Sequence, residues 1–459
     1  WSHDTMEAVL KEKPFAFCAI IASGREPRWF NALPQECQQW FTSSDVRGCH
    51  YEGVDFDMLE PLDADLIEDM RDAEVIFMDL VARLEWKNLV PHAVRKRMYL
   101  RHLRFWNDYL TRHKINLYLA AWMPHEIPDL LIYELCKKRG IPVVYYHASP
   151  ERDVSHVEFD FHDSALQIKE RYEELLSEHK DETDPDAIPL SPAFAERYAL
   201  LTNPKGQKPA LQTVKVPTYW DHIRTLLVTQ PVQFCKHALS YCTPGGLARA
   251  VSALERQKCI RMRNTFYDRH AIEPDLKKRY IYMALHFQPE MSTVPMGGAF
   301  ADQVLMAQML SHHLPDDVLI YVKEHPRESS WQARDIDYYK DFLAVDKVRL
   351  VARHVDSFLL REHCSAVATA TGTVGYEALF RGKPVCMFGN RFYQYARGIF
   401  RIRSNQDCIE ACTEIFEKHA APTEVSSRLY LKAMEDTGVH GLLNPWDRKA
   451  TKLSDEEHL

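Results

Sequence analysis

The most regular hydrophobic pattern of the chain lies between residues 279 and 388, where short apolar runs alternate with amphipathic segments. Such strand–helix alternation is typical of a doubly wound parallel sheet with helices on both faces. The pattern predicts strands at Arg279–Leu285, Val318–Val322, Val348–Val351, Ser365–Thr369 and Pro384–Phe388, and helices at Ala301–His312, Val355–Arg361 and Val374–Phe380.

The N-terminal third shows a similar but less regular alternation. Two of its predicted strands, Ile115–Ala120 and Ile141–Tyr146, flank a helix predicted at Pro128–Arg139. A strand–helix–strand unit of about 30 residues indicates a parallel sheet. The remaining apolar runs predict strands at Pro14–Ile21 and Glu74–Phe77.

Between residues 166 and 275 the pattern becomes helical and charged, with a helix predicted at Gln167–His179 and a Pro-Gly-Gly break at 244–246. We interpret this region as a helical linker or insertion. A chain of 459 residues is too long for one ordinary core. The predicted domains are therefore an N-terminal Rossmann-like domain at 1–165, a linker at 166–275, a C-terminal Rossmann-like domain at 276–420, and a helix and tail at 421–459.

Composition narrows the class of protein. The net charge of −8 argues against nucleic acid as the main partner. Eleven scattered cysteines favour reduced thiols in the cytosol over a disulfide framework. No apolar run approaches the roughly 18 residues of a spanning helix, and the first residues lack the pattern of a signal peptide. We therefore expect a cytoplasmic protein.

Two stretches of the chain are basic. Residues 91–114 hold seven Arg/Lys against one acid, Asp108, interleaved with aromatic residues, and a second basic stretch runs from Arg249 to Arg269. A solvated helix face is one interpretation. The other is a peripheral contact with anionic lipid headgroups, or with a lipid-linked phosphate acceptor, on the inner face of the cytoplasmic membrane.

Polar residues follow the strands of the C-terminal sheet, and ligands of open α/β sheets bind at that edge. Glu290 follows the first strand and could serve as a base or nucleophile, or only cap the next turn. Lys323, His325 and Pro326 follow the second strand, where a cation and an imidazole suit a phosphate.

A third group is the small-residue turn Thr371, Gly372 and Thr373, which leads into a helix and suits an anion. It is neither a Walker motif nor a GxGxxG motif. Glu377 could take ribose hydroxyls or pair with Arg381 four residues later.

The N-terminal half offers weaker candidates. Glu126 follows a predicted strand and is a candidate general acid or base, with capping of the next helix as the alternative. His125 and His147 are further acceptor-side candidates. No Asp-x-Asp pair follows a clear buried strand, so no metal site is predicted, and the chain lacks the HExxH and GxSxG motifs.

Three blocks of the chain, LHFQPEMSTVPMGG (285–298), LIYVKEHPRE (319–328) and ATATGTVGYEALFRGKPVCMFG (368–389), resemble bacterial capsule and surface-polysaccharide biosynthesis proteins, including the retaining β-Kdo transferases. The resemblance is strong over residues 279–400 and general over the N-terminal half. It implies a GT-B fold, with two Rossmann-like domains facing across a cleft. It also implies a CMP-activated ulosonic acid, such as CMP-Kdo, as donor and no metal cofactor.

The same resemblance implies roles for individual residues. His325-Pro326 would contact the cytidylate phosphate together with Thr371–Thr373, with Gln288 and Lys323 at the donor site and Glu377 near the nucleoside. In retaining members an acid near the first block attacks the anomeric carbon. Some members carry several acids there, whereas here Glu290 is followed by Met291-Ser292-Thr293. The donor carboxylate could pair with Lys323, Arg327 or Arg391.

Two other functions stay open from the sequence. One is a transferase or epimerase that uses a UDP-sugar on the same two-domain frame. The other is a non-catalytic subunit of a polysaccharide-assembly machine.

Overall fold

The structure is a computed structural model that describes residues 3–13, 15–24, 26–83, 90–151, 154–203, 243–288, 290–328 and 334–441. It forms two compact units, Trp1–Ala195 with Leu429–Leu459 and Glu196–Arg428. The helix Leu166–Glu178, which the sequence analysis assigns to the linker, falls in the first unit. Residues 204–242 of the predicted linker lie outside the described residues.

The described strands, in chain order, are β1 (Cys18–Ala22), β2 (Gln38–Thr42), β3 (Tyr118–Ala120), β4 (Val143–Ala148), β5 (Val154–Glu158), β6 (Tyr280–Ala284), β7 (Leu319–Lys323), β8 (Val348–Leu350), β9 (Ala366–Thr369), β10 (Val385–Met387), β11 (Ile399–Arg401) and β12 (Val439–His440). The helices are His3–Glu12, Arg28–Asn31, Ser43–Arg47, Ala64–Asp69, Arg71–Arg83, His92–Arg112, Ile127–Lys138, Leu166–Glu178, Pro192–Thr202, Pro244–His270, Val304–His313, Ile336–Leu343, Ser357–His363, Thr373–Leu379, Asn405–Cys412 and Glu424–Thr437.

The second unit is built on a six-stranded sheet in the order β11-β10-β9-β6-β7-β8, and all of its strand pairs are parallel. Successive residues of a strand point to opposite faces. Accordingly, Ile281 and Met283 belong to one hydrophobic cluster and Tyr280 and Tyr282 to the other. The sheet is therefore covered on both faces, as the long apolar runs of the sequence predict, and the α/β class with parallel sheets is confirmed.

The order of these strands creates a switch point. The chain runs from β6 outward to β7 and β8, and then returns to place β9 on the other side of β6. The connections leaving β6 and β9 therefore diverge at the carboxyl ends of neighbouring strands. In open α/β sheets that crevice is where ligands bind.

The first unit contains two smaller sheets. β1 and β2 form a parallel pair, and the other sheet has the order β12-β5-β4-β3 with β3 and β4 parallel. β4–β5 and β5–β12 are antiparallel. The predicted unit of β3, helix and β4 is present, with its helix at Ile127–Lys138.

One predicted strand is wrong. Glu74–Phe77 lies inside the helix Arg71–Arg83, whose buried residues are Ala73, Phe77, Leu80 and Val81. Their spacing of four, three and one is that of a helix face, and Val75 is exposed. A four-residue apolar run does not distinguish a strand from such a face.

The first basic stretch forms the helix His92–Arg112, and its aromatic residues Tyr99, Phe105 and Trp106 are buried in the core. Its cations make local contacts: Arg104 donates to the carbonyl of Leu59 at 2.7 Å, and Arg112 pairs with Asp108 at 2.8 Å. The aromatic residues therefore serve packing here. Among the described residues, no helix combines the length and apolarity needed to cross a bilayer.

Candidate nucleotide-phosphate site

A cavity of about 160 Å³ opens at the carboxyl edge of the six-stranded sheet, at the switch point. It is smaller than the roughly 300 Å³ at which sites for whole small molecules begin, so its size matches one small group rather than an enclosed nucleotide. Four segments line it: the end of β6, the end of β7 with the turn that follows, the helix Ser357–His363 and the helix Thr373–Leu379. The lining residues are Tyr282, Ala284, Leu285, Lys323, Glu324, His325, Pro326, Ser357, Phe358, Arg361, Thr373, Val374 and Glu377.

Five of the predicted donor-site residues therefore share one cavity: Lys323, His325, Pro326, Thr373 and Glu377. They come from chain segments as much as 54 positions apart and are brought together by the parallel pairing of β7, β6 and β9. From the sequence, Lys323, His325 and Pro326 could be placed only after one strand, and Thr373 and Glu377 in the turn and helix that follow another. Their convergence is a property of the fold.

The imidazole of His325 is fixed by a neighbouring amide. The main-chain N–H of Arg327 donates to His325 Nδ1 at 3.2 Å, and the ring lies 5.5 Å from that of Phe287. Burial, with a smaller effect of nearby cations, lowers the pKa of His325 to about 4. The ring is therefore neutral near pH 7, and because Nδ1 accepts a hydrogen bond, Nε2 carries the proton.

Lys323, the last residue of β7, is a cation in the lining of the cavity. It is buried, its Nζ donates to the carbonyl of Arg353 at 2.9 Å, and burial lowers its pKa. The adjacent carboxylate of Glu324 is bound by Arg353 at 2.5 Å and by the hydroxyl of Tyr339. The Glu324 charge is thus compensated by Arg353, and the carboxylate of Asp356 also acts on Lys323, so this cation is shared between Asp356 and the cavity.

Within the turn Thr371–Thr373, two residues make hydrogen bonds that fix the backbone and the third lines the cavity. The N–H of Thr371 donates to His286 Nε2 at 3.1 Å, and that of Gly372 donates to Thr369 Oγ1 at 3.0 Å. Thr371 Oγ1 donates to the carbonyl of Ser292 at 2.7 Å. Thr371 and Gly372 therefore shape the turn, whereas Thr373 lines the cavity.

Glu377 pairs with a residue that the sequence analysis did not single out. Its carboxylate accepts from Arg361, which is buried and also lines the cavity. Arg381, the partner considered from the i+4 spacing, instead pairs with Glu362 at 2.7 Å, so that alternative is wrong. Arg361 lies 16 positions before Glu377 on another helix, and no local pattern could have revealed the pair.

Glu290 lies in the loop after β6 and does not line this cavity. Ser292 Oγ donates to its carboxylate at 3.2 Å. Burial raises the pKa of Glu290, while Arg327 and Arg391 act in the opposite direction. Because Thr371 holds the carbonyl of Ser292, two residues after Glu290, this loop is attached to the turn that leads into the cavity.

Gln288 belongs to the same loop and is tied to the turn after β7. Its N–H donates to the carboxylate of Glu328 at 3.2 Å, and its side-chain oxygen accepts from Thr293. Glu328 is fully buried and also faces Arg334 at 3.8 Å. Glu328 thus joins the loop that carries Glu290 to the turn that carries His325.

The acceptor-side candidates belong to the first unit. Glu126 is the residue before the helix Ile127–Lys138, but its side chain does not cap that helix and pairs with Arg47 at 2.7 Å. His125 Nδ1 lies 2.7 Å from the carbonyl of Met123, and burial lowers the pKa of His125. His147 is buried on β4, opposite His156 of β5.

The fold and this cavity define a doubly wound α/β domain with a candidate ligand pocket at its switch point. Residues 235–424, which include the cavity, match the family model of the capsule polysaccharide biosynthesis proteins. The resemblance drawn from the three sequence blocks is thereby confirmed for this region, which is less than half of the chain.

Several solved structures show a weak likeness. HepE of Anabaena in complex with UDP-glucose shares 15% identity over 35% of this chain and 45% of its own, with a TM-score of 0.26. The match thus spans less than half of that protein. KpsC of Thermosulfurimonas dismutans, a β-Kdo 2,7 transferase, shares 12% identity over 78% of this chain and 96% of its own, with a TM-score of 0.30.

The UDP-GlcNAc 2-epimerase of Methanocaldococcus jannaschii shares 12% identity over 91% of this chain and 99% of its own, with a TM-score of 0.28. TM-scores this low do not establish a common arrangement of whole chains. No curated protein sequence matches this chain significantly.

Proposed function

We propose that this chain is a glycosyltransferase of GT-B type that moves a Kdo-like ulosonic or nonulosonic acid from its CMP ester to a surface-polysaccharide or lipid-linked glycan. The observation that carries the proposal is the convergence of Lys323, His325 and Thr373 on one cavity at the switch point of the sheet. The match of this same region to the capsule polysaccharide biosynthesis family supports it.

The cavity suits the phosphate of the leaving nucleotide. Transfer breaks the bond between the anomeric carbon and the phosphate oxygen, and the electron pair leaves with the CMP. Neutral His325 donates from Nε2, and Lys323 supplies the positive charge, so both stabilise the developing phosphate dianion. No metal cofactor takes part in this proposal.

Glu290 is the proposed nucleophile or base. As nucleophile it forms an ester with the anomeric carbon, which the acceptor hydroxyl then displaces with net retention. Burial raises the pKa of the Glu290 carboxyl, whereas the charges of Arg327 and Arg391 lower this pKa. The same two cations are the proposed partners of the carboxylate of the donor sugar. Glu126 stays a predicted acid or base.

Nucleotide binding tests the donor class. The thermal unfolding midpoint is measured with CMP, UMP and UDP, since a ligand of the native state raises it. We expect CMP to give the largest shift. A larger shift with UDP would favour a UDP-sugar enzyme and contradict the CMP donor.

Turnover tests the site. His325→Ala should lower the turnover rate with CMP-Kdo about a hundredfold, which is the loss typical of removing one key donor to a developing anion. The free energy of unfolding should stay unchanged. His354→Ala is the matched control, because His354 is exposed and pairs with Glu273 at 2.7 Å outside the cavity. Equal activity of the two variants would remove His325 from the mechanism.

A further inference from the structure

In the part of the chain that the structure describes, one face of the helix Pro244–His270 packs on its unit. Ile260, Arg263 and Tyr267 lie on this face at spacings of three and four, and all three are buried. Arg263 donates to the carbonyl of Glu328 at 2.5 Å, and the hydroxyl of Tyr267 accepts from the N–H of Glu324 at 3.2 Å. This face therefore holds the turn that carries His325.

The opposite face carries an exposed apolar stripe. Leu247, Val251, Leu254 and Met262 are 59%, 55%, 72% and 52% exposed. Their spacings of four, three and eight residues place them within about 80° on a helix that turns about 100° per residue. Single exposed apolar residues are ordinary, whereas several on one helix face are typical of an interaction surface.

Cations lie along the same stripe. Lys258 is exposed midway between Leu254 and Met262, and Arg261 and Arg269 are exposed on the same side of the helix. Of the two acids of this helix, Asp268 is bound by Arg353, and Glu255 is exposed beside Leu254. An apolar row interspersed with Lys and Arg is the chemistry of helices that lie in the interface of an anionic bilayer.

We propose that this stripe, defined by Leu247, Val251, Leu254, Lys258, Arg261 and Met262, docks on the surface of an anionic lipid membrane. The apolar side chains enter the boundary between headgroups and acyl chains, and the cations bind lipid phosphates. A parallel second copy is a poorer occupant, since it would set Lys258 against its own counterpart.

Docking would couple the membrane to the candidate site. The exposed face would rest on lipid while Arg263 and Tyr267, on the other face of the same helix, hold the turn after β7. The cavity would then lie at a fixed height above a surface that can present a lipid-linked acceptor. The docking itself does not depend on the proposed reaction, and lipid binding is measured separately from CMP binding.

Vesicle flotation of the full chain tests the proposal. We expect flotation with vesicles of equal parts phosphatidylglycerol and phosphatidylcholine, and little with phosphatidylcholine alone. Leu254→Asp should lower the partition coefficient at least tenfold. The control is Met58→Asp, because Met58 is 75% exposed on the other unit and should leave binding unchanged.

The charges are tested separately. Lys258→Gln and Arg261→Gln should each lower partitioning about fivefold, which corresponds to about 1 kcal/mol per cation near an anionic surface. Absence of flotation with the anionic vesicles, or an equal effect of Leu254→Asp and Met58→Asp, would overturn the proposal. So would a lipid-free dimer that Leu254→Asp dissociates, since it would assign the stripe to a second copy.

Discussion

His286 Nε2 accepts the main-chain N–H of Thr371 at 3.1 Å, and this hydrogen bond joins the end of β6 to the turn after β9. Burial lowers the pKa of His286 to about 3, so its ring stays neutral and keeps Nε2 as an acceptor. Thr369 Oγ1 lies 3.0 Å from the same nitrogen and accepts from Gly372. The two segments on either side of the switch point are thus held by one buried imidazole.

Gly372 has no room for a side chain within this arrangement. A Cβ at this position would lie 2.7 Å from Thr369 Oγ1 and 3.2 Å from His286 Cε1. Gly372→Ala should therefore lower the free energy of unfolding by about 1–3 kcal/mol and weaken CMP binding at least tenfold. Urea unfolding and CMP titration measure the two effects.

The chain supplies a matched glycine control. A Cβ at Gly245, in the first turn of the helix Pro244–His270, would meet nothing within 4 Å. Gly245→Ala should leave CMP binding unchanged and stability equal or slightly higher. If the two alanine variants behaved alike, the tight turn at Gly372 would have no role in binding.

Glu377 should report on the ribose of the nucleotide. Glu377→Gln keeps the size of the side chain and a hydrogen-bond acceptor for Arg361 but removes the charge. If the carboxylate accepts from ribose hydroxyls, the variant should lose about tenfold in affinity for CMP and less for 2′-deoxyCMP. Isothermal titration with both nucleotides measures the difference.

Glu410→Gln is the control for this experiment, because Glu410 is exposed, accepts from Gln406 at 2.8 Å and does not line the cavity. It should bind both nucleotides as the parent does. An equal loss for CMP and 2′-deoxyCMP in Glu377→Gln would exclude a contact with the 2′-hydroxyl.

Glu328 holds the loop that carries Glu290 and the turn that carries His325 together. Its carboxylate accepts from the N–H of Gln288 at 3.2 Å and faces the buried guanidinium groups of Arg263 at 4.0 Å and Arg334 at 3.8 Å. Glu328→Ala leaves two buried cations without this counter-charge, so the free energy of unfolding should fall by about 3–5 kcal/mol. Chemical denaturation measures the change.

An exposed ion pair provides the comparison. Asp317 pairs with Arg279 at 2.8 Å in the same unit, and both side chains are largely exposed. Asp317→Ala should change the unfolding free energy by no more than about 1 kcal/mol. A similar small change for Glu328→Ala would show that the buried carboxylate does not stabilise the two turns.

Five of the six strands of the C-terminal sheet could be predicted from sequence, because a strand buried on both faces is a continuous apolar run, whereas the edge strand β11 is only half-buried and was not predicted. β5, with the sequence VSHVE, was not predicted, since its Ser155, His156 and Glu158 are polar yet buried. Strand ends revealed Lys323, His325 and Thr373. Arg361 escaped prediction because its role depends on a partner on another helix, and only tertiary structure brings the two together.

The buried carboxyl of Glu158 should make the free energy of unfolding depend on pH. It is buried on β5 and accepts from the N–H of Ala165 at 2.8 Å. Burial, aided by the charge of Asp163, raises the pKa of Glu158 from 4.5 to about 7. Because the folded protein holds this proton more tightly than the unfolded chain, the stabilisation is complete below about pH 4.5 and is lost as the pH rises through about 7.

Glu158→Gln removes this titration while preserving the shape of the side chain and an acceptor for Ala165. The parent should lose about 3 kcal/mol more than the variant between pH 4.5 and pH 8, because each unit of pKa shift is worth about 1.4 kcal/mol. Urea unfolding at the two pH values gives the difference. Glu173→Gln, at a side chain that is 64% exposed, should follow the parent. A Glu158→Gln profile parallel to that of the parent would show that Glu158 ionises normally in the folded protein.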